Sequence, residues 1–342
     1  MRAFCAFLGL LAAGTAQAAA PAAPGPVWPQ PPDAPRIRYV MALPGDVAAP
    51  VRKPSTFMKV FRFVVGLGEG GEEPERQLYR PTGLCVRGDL VYAADLGLRC
   101  VVRFDLAAHR VDRMGSSRGA LSSPVGVAAA SDGRVWVSDS SPGRVVVLTP
   151  KGGVAGELDP PPGGWVRPTG IALDESRGRL WVADTGTHRI HAYTLAGRHQ
   201  AAIGARGDGP GEFNFPTYLA VNELDGSLLV CDSANFRVQI LDADGKSVRR
   251  TGEAGNRPGY LSRPRGVALD SEGHLYVVDA AFETVQILDP QGRLLLFFGE
   301  SGEAPGFFSM PGGMCIDARD RVFVADTYNG RIQVFQYVKG GA

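Results

Sequence analysis

The chain has 342 residues, 44% of them hydrophobic, which is enough to bury a sizeable core in two domains or in one large all-β unit. Its 36 basic and 35 acidic side chains nearly cancel. Such a chain creates no net field that would attract nucleic acid or an acidic membrane, so nucleic acid is disfavoured as a partner.

The first residues predict a secretory signal peptide over 1–18. The stretch "MRAFCAFLGLLAAGTAQA" has one basic residue, an apolar run too short to span a bilayer, and small residues at Ala16 and Ala18. We expect cleavage near Ala18 and a periplasmic or secreted mature chain without a transmembrane segment. Residues 19–35, rich in proline and alanine, predict a stiff and extended linker.

Residues 36–79 contain two candidate elements. In "RIRYVMALPG" (36–45) apolar residues alternate strictly, as in a strand with one buried face. In "STFMKVFRFVVG" (55–66) they recur at helical spacing instead, which predicts an inserted amphipathic helix. The alternating residues of the first element are Ile37, Tyr39, Met41 and Leu43.

One motif recurs six times from residue 80 onward. Each copy has a proline, a short apolar strand, a turn, a second strand that ends in aspartate, and a third strand; "RPTGIALDESRGRLWVADTGTHRI" from Arg167 is an example. The prolines are Pro81, Pro124, Pro168, Pro216, Pro264 and Pro311, and the aspartates are Asp95, Asp139, Asp184, Asp232, Asp279 and Asp326. A period of 43 to 48 residues is typical of propellers and solenoids.

The repeat predicts an all-β, six-bladed β-propeller over residues 80–342. A fourth strand-like segment precedes each following proline, and four antiparallel strands make one blade. The sixth copy ends at "RIQVFQYV" without that segment, so an N-terminal strand must close the ring. We assign this role to 36–45, with 57–66 as the alternative. Glycine-rich joints between the copies share one large residue, which we expect to be buried: Leu78, Leu121, Trp165, Phe213, Leu261 and Phe308.

The copies resemble NHL repeats. The stretches "PTGIALD…GRLWVADTGTHRI" and "PGGMCIDARDRVFVADTYNGRI" carry the resemblance, which covers about residues 80–338. It implies a six-bladed propeller of the kind found in secreted bacterial NHL proteins. Related six-bladed propellers include lyases that hold zinc with histidines and lactonases that use Glu, Asn and Asp near the central channel.

The repeated aspartates are interpreted as structural. A group that catalysis needs once is not expected six times around a ring, so we expect each aspartate to accept hydrogen bonds in the turn between the second and third strands. An arginine follows five residues later in four copies and is expected to pair with the aspartate or a neighbouring turn. These arginines are Arg144, Arg189, Arg237 and Arg331.

The sequence predicts no catalytic residues, no metal and no cofactor. The residues after the repeat prolines, which should approach the channel mouth, offer no ligand set suited to zinc or calcium: Thr82, Val125, Thr169, Thr217, Arg265 and Gly312. His188 and His191 should point to opposite faces of a strand, and the other histidines lie in turns on the other face from His188. Cys85 and Cys315 read as small buried residues, and a disulfide between them across the closing seam is left open.

Positions that break the repeat are the better guide to function, because fold requirements are shared by all copies. The residues that differ predict a recognition surface on one propeller face: Tyr218, Asn235, Phe236, Arg265, Phe282, Glu283 and Tyr328. The leading hypothesis is a monomeric, non-enzymatic binding or scaffold protein for a protein, peptide or glycan of the cell envelope. A metal-dependent lyase or lactonase-type hydrolase and an accessory subunit of an envelope redox or export complex are the alternatives.

Overall fold

The computed structural model describes residues 25–44 and 77–340 and folds them into six antiparallel sheets around a central channel. This is the predicted six-bladed β-propeller. The predicted signal peptide, the helix over 55–66 and the alternative strand over 57–66 lie outside the described residues. Within the described ranges, no helix has the length and hydropathy needed to cross a membrane.

The strands follow the repeat, and each blade is paired in chain order from the channel outward. The chain begins with β1 (Val27–Trp28) and β2 (Ile37–Leu43). Blade one has β3 (Pro81–Arg87), β4 (Leu90–Asp95), β5 (Cys100–Asp105) and β6 (Arg110–Met114), and blade two has β7 (Pro124–Ala129), β8 (Val135–Asp139), β9 (Arg144–Leu148) and β10 (Val154–Glu157). Blade three has β11 (Pro168–Asp174), β12 (Arg179–Asp184), β13 (Arg189–Thr194) and β14 (His199–Ile203). Blade four has β15 (Pro216–Val221), β16 (Leu228–Asp232), a 3-10 turn (Ser233–Asn235), β17 (Arg237–Leu241) and β18 (Ser247–Thr251); blade five has β19 (Pro264–Leu269), β20 (Leu275–Asp279), β21 (Thr284–Leu288) and β22 (Leu294–Phe298).

Blade six is completed by the N-terminal strand. Its own strands are β23 (Met314–Ile316), β24 (Arg321–Asp326) and β25 (Arg331–Tyr337), and β2 pairs antiparallel with β25. Ile37 lies opposite Tyr337, and Leu43 lies opposite Ile332. The prediction that 36–45 closes the ring is therefore confirmed.

The side-chain pattern of β2 differs from the predicted strict alternation. A bulge between Tyr39 and Met41 shifts the register with β25. Ile37 and Tyr39 consequently pack in the core between blades five and six, whereas Met41 and Leu43 pack in the core between blades six and one. The strand thus contributes apolar side chains to both neighbours of blade six.

The described part of the predicted linker, 25–35, is a hairpin rather than an extended spacer. Val27 and Trp28 pair with β2 and add a fifth strand to blade six. The Trp28 ring lies 5.5 Å from Phe298 and 5.9 Å from Phe335, between centroids. An aromatic side chain of this size stabilises docking by burying its apolar surface, which composition alone does not reveal.

Close approach of the inner strands makes the centre of the ring narrow. The third residue of the motif is glycine in five copies, and a Cβ added to Gly126 would lie 2.1 Å from the Thr169 carbonyl oxygen of the next blade. The joint residues are also packed as expected, since five of the six are buried and Trp165 is half-buried. Cys85, Cys100, Cys231 and Cys315 are free thiols, so no disulfide joins Cys85 to Cys315.

Candidate functional site

The joints and the turns between second and third strands share one face of the ring, here called the loop face. The repeat aspartates lie beneath this face and are fully buried. Asp95 accepts hydrogen bonds from the backbone N–H groups of Tyr79, Arg80, Gly97 and Leu98 at 2.7 to 3.1 Å. The carboxylate therefore ties the joint to the turn of its own blade, in addition to the turn bonding that the repeat predicts.

Three of the four repeat arginines make the expected ion pair. The Nε atoms of Arg144, Arg237 and Arg331 lie 3.0, 2.8 and 2.6 Å from Oδ2 of their aspartates. Among the residues described, Arg189 is exposed and makes no ion pair with Asp184. The joint of blade three is held differently, because the Trp165 ring packs against β13 on His191 and Tyr193.

In every blade, the residue at the tip of the turn between the second and third strands has a left-handed backbone conformation. Gly143 and Gly330 occupy it in two blades, but Phe236 and Glu283, both predicted binding residues, have φ of 54° and 55° there. The same conformation recurs in every blade, so it is a feature of the repeated turn. Glu283 Oε1 accepts a hydrogen bond at 2.9 Å from the Met310 N–H group of blade six, so this tip also joins two blades.

His188 joins blades three and four in the same way. It occupies the left-handed tip of its turn, with φ of 59°, and its Nδ1 accepts a hydrogen bond at 3.1 Å from the Phe215 N–H group. Phe215 and Met310 precede repeat prolines and themselves have φ of 54° and 48°. Their N–H groups therefore turn toward the previous blade, whereas Arg80 bonds to its own aspartate.

Tyr218, predicted as part of the recognition surface, is half-buried and lines the central channel rather than the outer part of the loop face. It replaces the motif glycine and, with the other inner strands, encloses a cavity of about 20 Å³, roughly room for one water molecule. Its ring reaches blade six, where a Cβ added to Gly313 would lie 3.0 Å from Cε1. Burial raises the pKa of the Tyr218 hydroxyl, and the nearby Arg265 guanidinium acts in the opposite direction.

The mouth of the channel on the other face is crossed by ion pairs. Arg87, at the end of β3, has its NH1 atom 2.7 Å from Glu223 Oε1 and its NH2 atom 3.7 Å from Glu175 Oε2. These residues belong to blades one, four and three, so the network spans the opening. Tyr218 lies in the middle of the channel, between this network and the loop-face mouth.

The residues on either side of the repeat prolines surround the loop-face mouth. Arg80, Arg167 and Arg263 precede prolines in blades one, three and five and are exposed, while half-buried Arg265 follows Pro264. We call these four the mouth arginines. Among the described residues, none of the four guanidinium groups pairs with a carboxylate.

Two of the mouth arginines lie over aromatic rings. The Arg80 guanidinium is 5.1 Å from the ring centroid of Tyr328, which is 58% exposed, and Arg167 is 5.7 Å from that of Phe215, which is 39% exposed. Tyr328 was predicted as a binding residue and lies on this face. Arg80, Arg167, Arg263 and Phe215 were missed, although "RP" opens copies one, three and five.

Of the other predicted binding residues, some make hydrogen bonds within the fold and others are exposed on the loop face. The Asn235 amide donates to Asp232 Oδ2 and to the Gly207 carbonyl, both at 2.8 Å, so its donors serve the fold. Phe236 is 37% exposed on the loop face. Phe282 is half-buried, and its N–H group points at Asp279.

A pair of histidines lies away from the channel, on the third and fourth strands of blade three. His191 Nδ1 is 3.1 Å from His199 Nε2. Burial, together with the neighbouring His199, lowers the pKa of His191 to about 4. The described residues contain no cluster of three or more His, Cys, Asp or Glu side chains that could hold a metal ion.

The family model for the NHL repeat matches residues 121–148, 166–193 and 308–335. The chain is thus a six-bladed β-propeller that carries NHL repeats. A comparison with curated proteins finds no match.

Solved bacterial structures share this fold. A protein of unknown function from Bacteroides thetaiotaomicron is 18% identical, with a TM-score of 0.60, over 76% of this chain and 70% of that one. An auxiliary nutrient binding protein from the same organism is 14% identical, with a TM-score of 0.61, over 77% of this chain and 70% of that one. Virginiamycin B lyase from Staphylococcus aureus is 14% identical, with a TM-score of 0.55, over 77% of this chain and 97% of that one. At such identities the likeness extends to the fold alone.

Proposed function

We propose that this protein is a non-enzymatic binding protein that recognises a partner through its loop-face mouth. The observation that carries the proposal is the set of mouth arginines, three exposed and one half-buried, which have no carboxylate partner in the described part of the chain. Arginine and tyrosine are the residue types that dominate binding energy at protein interfaces. The similarity in fold to a nutrient-binding protein is consistent with a binding role.

The proposal includes a periplasmic or secreted location, which rests on the signal-like residues 1–18. The balanced charge of the whole chain disfavours nucleic acid, so the partner is sought among molecules of the cell envelope.

A lyase or hydrolase activity is the second candidate, since structural neighbours include lyases. A channel-centred metal would need nitrogen or oxygen ligands on the inner strands. The inner strands instead present glycine together with Leu84, Ile171 and Tyr218 around the central cavity. This lining favours the binding role over the enzymatic one.

A photoreactive amino acid at Tyr328 tests the proposal in cells of the source organism. The matched control is the same amino acid at Leu224, which is 88% exposed on the opposite face. We expect irradiation to yield a discrete adduct from position 328 and none from position 224. Adducts from position 224 alone, or from neither position, would contradict recognition through the loop face.

A further inference from the structure

We infer that the ligand of the loop-face mouth is an acidic peptide segment of a protein partner, with carboxylates bound by the mouth arginines. This inference rests on the proposed function and specifies its ligand. It is carried by four cationic side chains that have no carboxylate partner among the residues the structure describes, two of them lying over aromatic rings.

The mouth carries four arginines, and none of the four pairs with a carboxylate among the described residues. Several other arginines of the ring are matched by carboxylates, as Arg87 is by Glu175 and Glu223. Glu283, the carboxylate of the blade-five turn, accepts the Met310 N–H group and makes no ion pair with a described mouth arginine. An unmatched cationic opening on a chain of almost zero net charge favours an anionic ligand locally.

Two of the guanidinium groups lie over aromatic rings and have no carboxylate partner among the described residues. A guanidinium that lies over a ring keeps its N–H edge free, and that edge matches a carboxylate in a bidentate pair. The Arg80–Tyr328 contact lies at the seam of blades six and one, and the Arg167–Phe215 contact lies at the seam of blades three and four. These seams are on opposite sides of a six-bladed ring, so a ligand that reaches both must carry at least two separated carboxylates.

The shape of the opening favours a peptide that lies across the mouth. Tyr218 blocks entry into the channel, so a ligand contacts the rim rather than filling a deep pocket. Sugar rings are usually held on open aromatic faces, but here one face of Tyr328 and one of Phe215 are covered by guanidinium groups. A peptide with several Asp or Glu residues satisfies both the charge and the shape.

Binding of fluorescein-labelled hexaglutamate, followed by fluorescence anisotropy, tests the inference. The test variant is Arg80→Gln/Arg263→Gln, and the matched control is Arg38→Gln/Arg198→Gln, which removes two exposed arginines that are away from the mouth. We expect the test variant to bind about tenfold more weakly and the control to bind like wild type, with affinity falling as salt rises. All four substituted side chains are exposed, so an unchanged thermal unfolding midpoint checks that the variants are folded.

Three outcomes would overturn the inference. One is the absence of hexaglutamate binding by wild type, and another is equal weakening in both variants. The third is binding of hexagalacturonate, but not of hexaglutamate, with the same dependence on Arg80 and Arg263, which would assign the mouth to an acidic glycan. Adducts from position 328 in cells are expected whichever of these results is obtained. Failure of the peptide inference is therefore distinguishable from failure of the proposed function.

Discussion

Replacement of Asp95 by asparagine tests the structural role of the repeat aspartates. The substitution keeps the size of the side chain but converts one carboxylate oxygen into an N–H donor. Oδ2 accepts hydrogen bonds from the N–H groups of Tyr79 and Arg80, and Oδ1 accepts from Gly97 and Leu98. An amide group in place of Oδ2 would face the Tyr79 and Arg80 donors in a buried site.

The expected cost follows from these contacts. Loss of a hydrogen bond to a charged group costs about 1.5 to 3 kcal/mol, and Arg80 retains a contact to Oδ1, so we expect a decrease of about 3 kcal/mol in the free energy of unfolding. Urea denaturation measures this decrease. The control is Asp225→Asn at an exposed position, which should lower the free energy of unfolding by less than about 1 kcal/mol. If Asp95→Asn unfolds like Asp225→Asn yet loses ligand binding, the structural interpretation of the repeat aspartate is refuted.

Further substitutions test other parts of the fold. The folded-state pKa of His191, about 4, is below the usual unfolded value, so the free energy of unfolding should fall by about 3 kcal/mol as the pH drops from about 6.5 to 4. Denaturation across this range should show a smaller loss for His191→Gln. Tyr218→Gly restores the motif glycine but empties the centre of the channel, and we expect it to lower the free energy of unfolding by about 3 kcal/mol in urea. A Cβ on Gly126 would collide with the next blade whereas one on Gly156 meets nothing within 4 Å, so Gly126→Ala should unfold at least about 2 kcal/mol more easily and Gly156→Ala like wild type.

The architecture could be predicted because each copy of the repeat carries its own strand, turn and joint signals. Closure by 36–45 was also predictable, since the sixth copy lacks a fourth strand. The bulge in β2 could not be predicted from the sequence, because it depends on the packing of the core on both sides of blade six. Sequence periodicity contains no information about which neighbour a side chain will meet.

The candidate site was less predictable because it depends on how far each residue lies from the channel axis as well as on its position in the repeat. Departures from the repeat identified Arg265 and Tyr328, but Tyr218 points into the channel and Asn235 serves its own turn. Arg80 was not predicted as a binding residue, because three copies share arginine before the proline and this arginine therefore resembles part of the motif. The network from Arg87 to Glu223 joins residues 136 positions apart and needs the closed ring to be visible.

Binding of an acidic peptide by the mouth arginines is tested most directly by arginine modification. Wild-type protein is treated with phenylglyoxal with and without hexaglutamate, and mass spectrometry gives the rate at each arginine. We predict that hexaglutamate slows modification of Arg80, Arg167 and Arg263 and leaves that of Arg38 and Arg198 unchanged. Equal rates at the first three with and without the peptide, under conditions where it binds, would place the hexaglutamate site elsewhere and contradict binding of an acidic peptide by the mouth arginines.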